Sequence, residues 1–175
     1  LDSALAYKRH FPAINWLTSY SLYLDNVAGW FGENVSDEWM TDRQKLMSIL
    51  QDEAKLDEIV KMVGMDALSS HDRLKMEAAR SIREDFLHQN SFHEIDTYSS
   101  LQKQLSMMRL VIAYYEKCDE ALDKGSSIQA LVKLPVREKI GRYKYVHEDD
   151  LKPEYDAVMK ELDTEVADTI GKEDF

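Results

Sequence analysis

The sequence predicts an all-α fold, in which an antiparallel helical bundle (residues 36–175) follows an irregular, aromatic-rich segment (residues 1–35). Three observations lead to this prediction. Apolar residues recur at helical spacing in three long stretches after residue 36. Serine and glycine stand where such helices would begin and end. No stretch has the two-residue alternation of a strand, and no internal repeat is present.

The first segment is unusual in charge and in aromatic content. No charged residue occurs from Phe11 to Leu24, although 31% of the chain is charged. Pro12 favours extended geometry at Phe11, and two glycines interrupt the end of the segment, so we expect irregular structure over residues 1–35. Its rings require burial, either on the rest of this chain or against another part of a larger protein. The aromatic residues concerned are Phe11, Trp16, Tyr20, Tyr23 and Trp30.

The first long helix is predicted from Ser36, as N-cap, to Val63. Asp37 and Glu38 would lie in the first turn, where the helix dipole favours acidic residues, and Gly64 is a suitable stop. The apolar seam consists of Leu46, Ile49, Leu50, Leu56, Ile59, Val60 and Val63.

Two further long helices follow. Ser69 or Ser70 can cap the second helix, which runs to about His88, and a loop over residues 88–100 leads to the third, Leu101 to Asp123. The second seam is Leu74, Ala78, Ile82 and Phe86. The third seam is Leu101, Leu105, Met108, Ile112, Tyr115 and Leu122.

The rest of the chain is predicted to contain two short helical pieces, over residues 127–133 and 136–143. A terminal helix is expected to begin after Pro153 and to end before Gly171. Three long amphipathic helices with short connections predict an antiparallel bundle.

Composition excludes several classes of function. The net charge is −11, which disfavours nucleic acid or an anionic membrane as a partner, since both require clustered cations. No apolar run is long enough for a membrane span, and no signal peptide is visible. The single cysteine, Cys118, suits a reducing compartment and predicts a buried structural thiol. We therefore expect a cytoplasmic protein without direct membrane insertion.

No catalytic or metal-binding constellation is predicted. The chain has no GxxxxGK[ST] motif to hold phosphates. His88, His93, Glu94 and Asp96 lie in a predicted loop without the spacing of a helical ligand pair, so a metal site is not expected.

Two long motifs carry a family resemblance. LDSALAYKRHFPAINWLTSYSLY (residues 1–23) and VGMDALSSHDRLKMEAARSIREDFLHQNSFHEIDTY (residues 63–98) resemble consecutive parts of the catalytic A subunit of V-type and archaeal A-type ATPases. In that family these parts are the segment after the nucleotide-binding core and the helical C-terminal domain. The resemblance runs from Leu1 to about Leu134.

This resemblance implies a fragment of a rotary ATPase or ATP synthase, which couples ATP hydrolysis or synthesis to H⁺ or Na⁺ transport. The full subunit would bind ATP or ADP with Mg²⁺, alternate with B subunits in a hexamer and contact a central stalk, in the soluble sector peripheral to the membrane. Without the phosphate loop, the fragment itself is expected to be inactive and to bind no cofactor tightly.

The resemblance also implies an adenine site. The beta subunits of F-type ATP synthases place one ring from YPAVDPL and one from FLxxPF against adenine. The matching sequences here, FPAINWL and FLHQNSF, assign these roles to Phe11 and Phe92. The loop before Phe92 is longer than in the F-type pattern, so Gln89 and Asn90 are expected at the adenine edge. The alternative is that both rings belong to the core.

A second site is implied at the turn between the first two long helices. GMDALSSHD (residues 64–72) resembles the F-type lever GMDELSEED, which pushes on the central stalk, although Ala67, Ser70 and His71 replace three acidic residues. The contact would therefore depend more on shape than on charge. The alternative is a capped turn with no partner. The predicted contact residues are Asp66, Leu68, Ser69, Ser70, His71 and Asp72.

A different class of function also fits an acidic helical bundle. This alternative is a stand-alone helical protein-interaction module with no nucleotide role.

Overall fold

The structure, a computed structural model, describes residues 1–171. The last residues of the predicted bundle region, 172–175, lie outside the described residues. Within residues 1–171 the chain forms α-helices and no β-strand, which confirms the predicted all-α class. The helices are α1 Ser3–Tyr7, α2 Leu24–Asn34, α3 Trp39–Val63, α4 Ser70–Ser81, α5 Leu101–Asp123, α6 Ile128–Leu131, α7 Val136–Arg142 and α8 Leu151–Thr169.

Helix caps explain where two of the long helices begin. The Ser69 hydroxyl accepts a hydrogen bond from the Asp72 amide at 3.1 Å and starts α4. The Ser100 hydroxyl accepts one from the Lys103 amide, also at 3.1 Å, and starts α5. The first cap was predicted two residues too early, because α3 begins at Trp39 with Glu38 as its N-cap, while the Ser36 hydroxyl accepts from the Glu38 amide and from Arg109 Nη2.

The prediction of an irregular segment over residues 1–35 was wrong for two stretches. Asp2 caps α1 by accepting hydrogen bonds from the amides of Ala4 and Leu5. α2 forms despite its glycines because its neighbours give it a packing face, where Phe31 stacks on Trp39 with the ring centroids 4.8 Å apart. Intrinsic helix propensity is weak enough for such tertiary contacts to override it.

Contacts between side chains define the directions of the long helices. α3 and α5 run in parallel, since Asp42 pairs with Arg109 and Lys45 pairs with Glu116 further along both helices. α4 runs back between them. α8 is parallel to α5, because Lys117 of α5 pairs with Asp163 of α8, and Ser126, just after α5, bonds Thr169 at the end of α8. The three long helices α3, α4 and α5 are therefore antiparallel in chain order, as predicted, and the short helices α6 and α7 return the chain so that α8 runs parallel to α5.

The core lies where α3, α4, α5 and α8 meet. The predicted seam of the second helix is buried completely at Leu74, Ala78 and Ile82, each with 0% exposure. Cys118 is also at 0% exposure, which confirms a structural thiol, and burial raises its pKa to about 12. Such a thiol is protonated at neutral pH and is not a nucleophile.

α4 continues as a single π-helical segment, Ile82–Leu87, before the chain leaves the bundle. α7 lies against this segment at Gly141, where an added Cβ would stand 2.9 Å from Asp85 Oδ1. The glycine therefore allows the close approach of α7. The π-helical segment ends one residue before the loop that carries Phe92.

Candidate functional site

Two distant segments of the chain meet at the predicted adenine site. The Gln89 amide donates a hydrogen bond to the Phe11 carbonyl at 2.8 Å. The first segment is itself fixed, because the Asp2 amide donates to the Ala13 carbonyl at 2.8 Å. The structure therefore connects the segment that carries Phe11 to the start of the loop that carries Phe92.

Both aromatic rings reach the surface. Phe92 is 97% exposed and Phe11 is 50% exposed. Phe92 is therefore not a core residue in this chain, and the alternative reading of this ring as core is wrong. Flat faces exposed to solvent on a fixed backbone are what stacking on a planar heterocycle requires.

Asp96 holds the Phe92 loop in shape. Its side chain is only 4% exposed, and Oδ2 accepts a hydrogen bond from the Asn90 amide at 2.7 Å. The Asp96 carbonyl accepts from Gln89 Nε2 at 2.8 Å. Asn90 Oδ1 in turn accepts from the Phe92 amide at 3.0 Å. The two predicted edge residues, Gln89 and Asn90, thus use these side-chain atoms to support the loop, and their contact with adenine stays a prediction.

A buried lysine that the sequence did not reveal secures the base of the loop. Lys144 is 5% exposed, and its Nζ donates to the carbonyls of Glu84 and His88, both at 2.9 Å. Burial lowers its pKa, and the nearby carboxylates of Asp96 and Asp85 act in the opposite direction. Lys144 therefore satisfies carbonyls at the end of the π-helical segment and links α7 to the Phe92 loop.

A cleft of ≈ 400 Å³ opens beside this contact. Its walls come from the π-helical segment, from both ends of the Phe92 loop and from α5, and they include Pro12 and Gln89. Its size is within the range of small-molecule sites. His93, considered above as a metal ligand, instead accepts hydrogen bonds from the amides of Ile95 and Asp96 through Nδ1. Within residues 1–171 no group of three or more His, Cys, Asp or Glu is placed to hold a metal ion.

The second predicted site is the tip between α3 and α4. Gly64 has a φ of 86°, which a glycine adopts without strain, and the short 3₁₀ helix Met65–Ala67 follows. Asp66 has a fully exposed side chain, and Arg73 donates to its carbonyl at 3.2 Å. Of the other predicted contact residues, Ser69, Ser70 and His71 are exposed and Asp72 is half-buried.

Leu68 is the residue at the tip where the structure corrects the prediction. It was expected to give the contact its shape, but it is only 7% exposed and so offers little surface to a partner. The apolar surface of the tip comes instead from residues at the end of α3 and from Met65. These residues are Ile59 at 40%, Met62 at 76%, Val63 at 63% and Met65 at 46% exposure. Ile59 and Val63 were predicted in the seam of the first long helix, and the other two were not assigned.

His71 ties the tip to α5. Its Nδ1 lies 2.7 Å from Asp119 Oδ1, and its Nε2 lies 3.5 Å from Asp123 Oδ1. The hydrogen bond to Asp119 is the main reason why the pKa of His71 is raised. Where the related lever has acidic residues, this chain therefore has a base paired with acids on the neighbouring helix.

No helix within residues 1–171 combines the length and the apolar character that crossing a membrane requires. Comparisons with known proteins agree with the architecture. Residues 28–132 match the family model described as the C-terminal domain of V and A type ATP synthase.

Curated relatives match over almost the whole chain. The V-type ATP synthase alpha chain of Acetivibrio thermocellus is 57% identical over 99% of this chain. Those of Clostridioides difficile and Clostridium botulinum (strain Okra) are 55% and 52% identical, each over 98% of it. This chain spans 29% of the length of each of these relatives. From the family match, which covers more than half of the residues, and from these identities, the chain belongs to the C-terminal domain family of V and A type ATP synthases.

Proposed function

We propose that this domain completes the adenine pocket of a catalytic A subunit and contacts the central stalk of a rotary ATP synthase. The enzyme would couple ATP hydrolysis or synthesis to transport of H⁺ or Na⁺, with B subunits alternating with A subunits in the hexamer. The observation that carries the proposal is the exposed Phe92 ring on a loop hydrogen-bonded to the segment of Phe11.

The residues of this chain fit the base of a nucleotide and not its phosphates. Phe11 and Phe92 offer apolar faces for the two sides of adenine, and stacking on each is worth about 1–3 kcal/mol. No phosphate loop occurs in the 175 residues, so the triphosphate and its Mg²⁺ would be held by residues outside them. The contribution of this domain to catalysis would therefore be binding and orientation of the nucleotide.

Substitution of Phe92 in the full-length subunit, assembled with its partners, tests the adenine role. Because adenine is remote from the bond that breaks, its contacts are made equally in the ground state and in the transition state. Phe92→Ala should then raise KM for ATP by about 5- to 150-fold, the equivalent of one lost stacking contact, and change kcat much less. Phe92→Trp is the matched control and should keep KM near the wild-type value, because it retains a flat face. An unchanged KM in Phe92→Ala would reject the assignment of Phe92 to the adenine pocket. The alternative, a helical interaction module without a nucleotide role, would then be favoured.

Cross-linking tests the stalk contact separately. Cys118 is fully buried and is the only cysteine, so a thiol introduced by Asp66→Cys would be the accessible one in this domain. A thiol-directed cross-linker at this position in the assembled enzyme should capture the central-stalk subunit. Lys152→Cys, at an equally exposed site on α8, is the control and should not. Capture of the stalk from both positions, or from neither, would contradict the contact.

A further inference from the structure

A second cleft, of ≈ 410 Å³, lies on the other flank of His88 and shares only that residue with the cleft beside the Phe92 loop. It is formed where the end of α1 and the residues after it face the π-helical segment. The lining residues are Leu5, Lys8, Arg9, His10, Trp16, Arg83, Glu84 and His88.

The charge of this cleft is opposite to that of the chain. Lys8, Arg9 and Arg83 line it together with two imidazoles, whereas the chain has a net charge of −11. The single carboxylate in the lining, Glu84, already accepts a hydrogen bond from Arg80 Nε at 3.1 Å. The cations are therefore in excess around the cleft.

Lys8 and Arg9 belong to the minority of lysines and arginines within residues 1–171 that form no ion pair. Most lysines and arginines pair with a carboxylate, as Lys45 does with Glu116 at 2.6 Å. Neither Lys8 nor Arg9 has such a partner anywhere in the part of the chain that the structure describes. Arg83 pairs with Glu53 through Nη2 at 2.8 Å, but its Nε is buried and has no acceptor within residues 1–171. Three adjacent cationic groups thus retain donors for an acceptor.

The backbone at Arg9 gives an independent indication. α1 ends in a Schellman motif, because the His10 amide donates to the Leu5 carbonyl at 3.0 Å and the Arg9 amide donates to the Ala6 carbonyl at 2.9 Å. Arg9 occupies the left-handed position of this motif, with a φ of 57°. Glycine is the residue that such a position favours, and a longer side chain is strained there. An arginine at this strained position therefore suggests that its guanidinium has a binding role.

The floor of the cleft is aromatic. His10 packs edge-on against Trp16 and against His88, with centroid distances of 5.4 and 5.6 Å. Burial is the main cause that lowers the pKa of His10, the electrostatic effects of His88, Arg83 and Lys144 add to it, and Glu84 acts in the opposite direction. A bound anion would offset that positive field.

We propose that this cleft binds a phosphate-type oxyanion, held by Lys8, Arg9 and Arg83. Guanidinium groups match the geometry of a tetrahedral oxyanion with parallel N–H donors, and lysine adds a compact charge. The same chemistry serves the free ion and the phosphate of a small ester. The proposal does not depend on the adenine pocket, since neither Phe11 nor Phe92 lines this cleft.

The test titrates the 175-residue chain with inorganic phosphate, pyrophosphate or glycerol 3-phosphate at constant ionic strength. Backbone and imidazole shifts are followed by NMR. Saturable binding of phosphate should perturb the amides of residues 8–10 and raise the pKa of His10. Binding of glycerol 3-phosphate tighter than that of inorganic phosphate would identify an ester as the ligand, and equal affinities would identify the free ion. The absence of saturable binding of all three anions would overturn the proposal.

Three variants distinguish binding at this site from an effect of net charge and from an effect on folding. Lys8→Ser combined with Arg9→Ser should weaken binding at least about tenfold, as expected for the loss of more than one charge-assisted hydrogen bond. Arg142→Ser combined with Lys152→Ser removes the same charge from exposed positions on α7 and α8 and should leave the affinity unchanged. Arg9→Gly should lose affinity without lowering the melting temperature, because glycine relieves the backbone. Equal losses of affinity in the two double variants would show that only net charge matters, and this result would also overturn the proposal.

Discussion

Phe92 shows how the exposure of one residue separates two roles. A core phenylalanine and an exposed adenine-stacking phenylalanine have the same sequence signature, but only the second is 97% exposed. A core ring predicts a large loss of stability on truncation and an exposed ring predicts almost none, and the exposure of Phe92 disagrees with the core role.

Phe92→Ala should therefore leave the free energy of unfolding of this chain within about 0.5 kcal/mol of wild type, as surface substitutions do. Leu74→Ala, at a position with 0% exposure, should cost about 2–5 kcal/mol. Urea denaturation of both variants measures the difference. A large loss in Phe92→Ala would mean that the ring packs in solution and would count against the site.

The stability of the fold is expected to depend on pH through His71. Because its pKa is raised in the folded state above the ordinary value of 6.5, its charged pairing stabilises the fold below that pH. This contribution is lost as pH rises through the folded-state pKa. The groups around the imidazole are Asp119, Asp123 and Asp72.

We expect His71→Gln to be less stable than wild type at about pH 5.5 and nearly equal to it at about pH 9. The side chain is 48% exposed, so solvent screening limits the difference to below about 1 kcal/mol. Denaturation at the two pH values measures it, and Asp119→Asn should remove most of the effect. A difference that grows with rising pH would show that the sign is wrong.

The residue scale also shows where sequence patterns fail. Ile59 and Val63 continue the apolar spacing of α3, which predicts burial, yet their exposures are 40% and 63%. Spacing identifies a face of a helix, and only the tertiary arrangement decides whether another element covers it. Leu68 fails in the opposite direction, since it lies in an exposed turn and is buried.

At the scale of elements, α4 and its π-helical segment connect the two candidate sites. This continuous unit begins at the tip, after the Ser69 cap, and ends at Leu87, next to the loop of Phe92. At about 1.5 Å per residue the unit is roughly 27 Å long. A displacement of the tip would thus be transmitted along a helical body to the start of the loop.

Lys144 is the contact that keeps the far end of this unit attached to α7. In Lys144→Met the carbonyls of Glu84 and His88 lose their donor in a buried place, which should cost about 1–3 kcal/mol. Amide hydrogen exchange should accelerate in residues 88–98. Lys139→Met is the control on α7, the helix just before Lys144, because this lysine is 57% exposed, and it should change neither quantity appreciably. Unaltered exchange in the loop would show that Lys144 does not hold it.

The long helices α3, α4 and α5 could be predicted from the sequence, whereas the π-helical segment and α2 could not. α5 has its predicted bounds because a serine cap and a regular seam act together. The π-helical turn depends on Gly141 meeting Asp85 and on Lys144 reaching two carbonyls, which are contacts between residues far apart in the chain. Neither of these contacts can be recognised from a pattern of neighbouring residues in the sequence. α2 was missed for the same reason, since its packing on α3 outweighs its glycines.

At the scale of the whole molecule, the surface has distinct regions with different chemistry. The tip is apolar and exposed, the N-terminal segment exposes aromatic rings such as Tyr20 at 83% and Trp30 at 52%, and the chain as a whole has a net charge of −11. Of the two alternatives for these rings, burial on the rest of this chain does not hold for most of them, and burial against another part of a larger protein stays a prediction. Exposed apolar surface of this kind is typical of protein interaction sites, which agrees with a domain of a larger assembly.

The central claim is that this domain contacts the adenine of a bound nucleotide. Photolabelling of the assembled enzyme with an ATP analogue that carries an azide on the adenine ring tests it most directly. The account predicts that label protected by excess ATP is found in peptides containing Phe11 or residues 88–98, and that Phe92→Ala reduces it. ATP-protected label confined to peptides outside this domain would contradict the account.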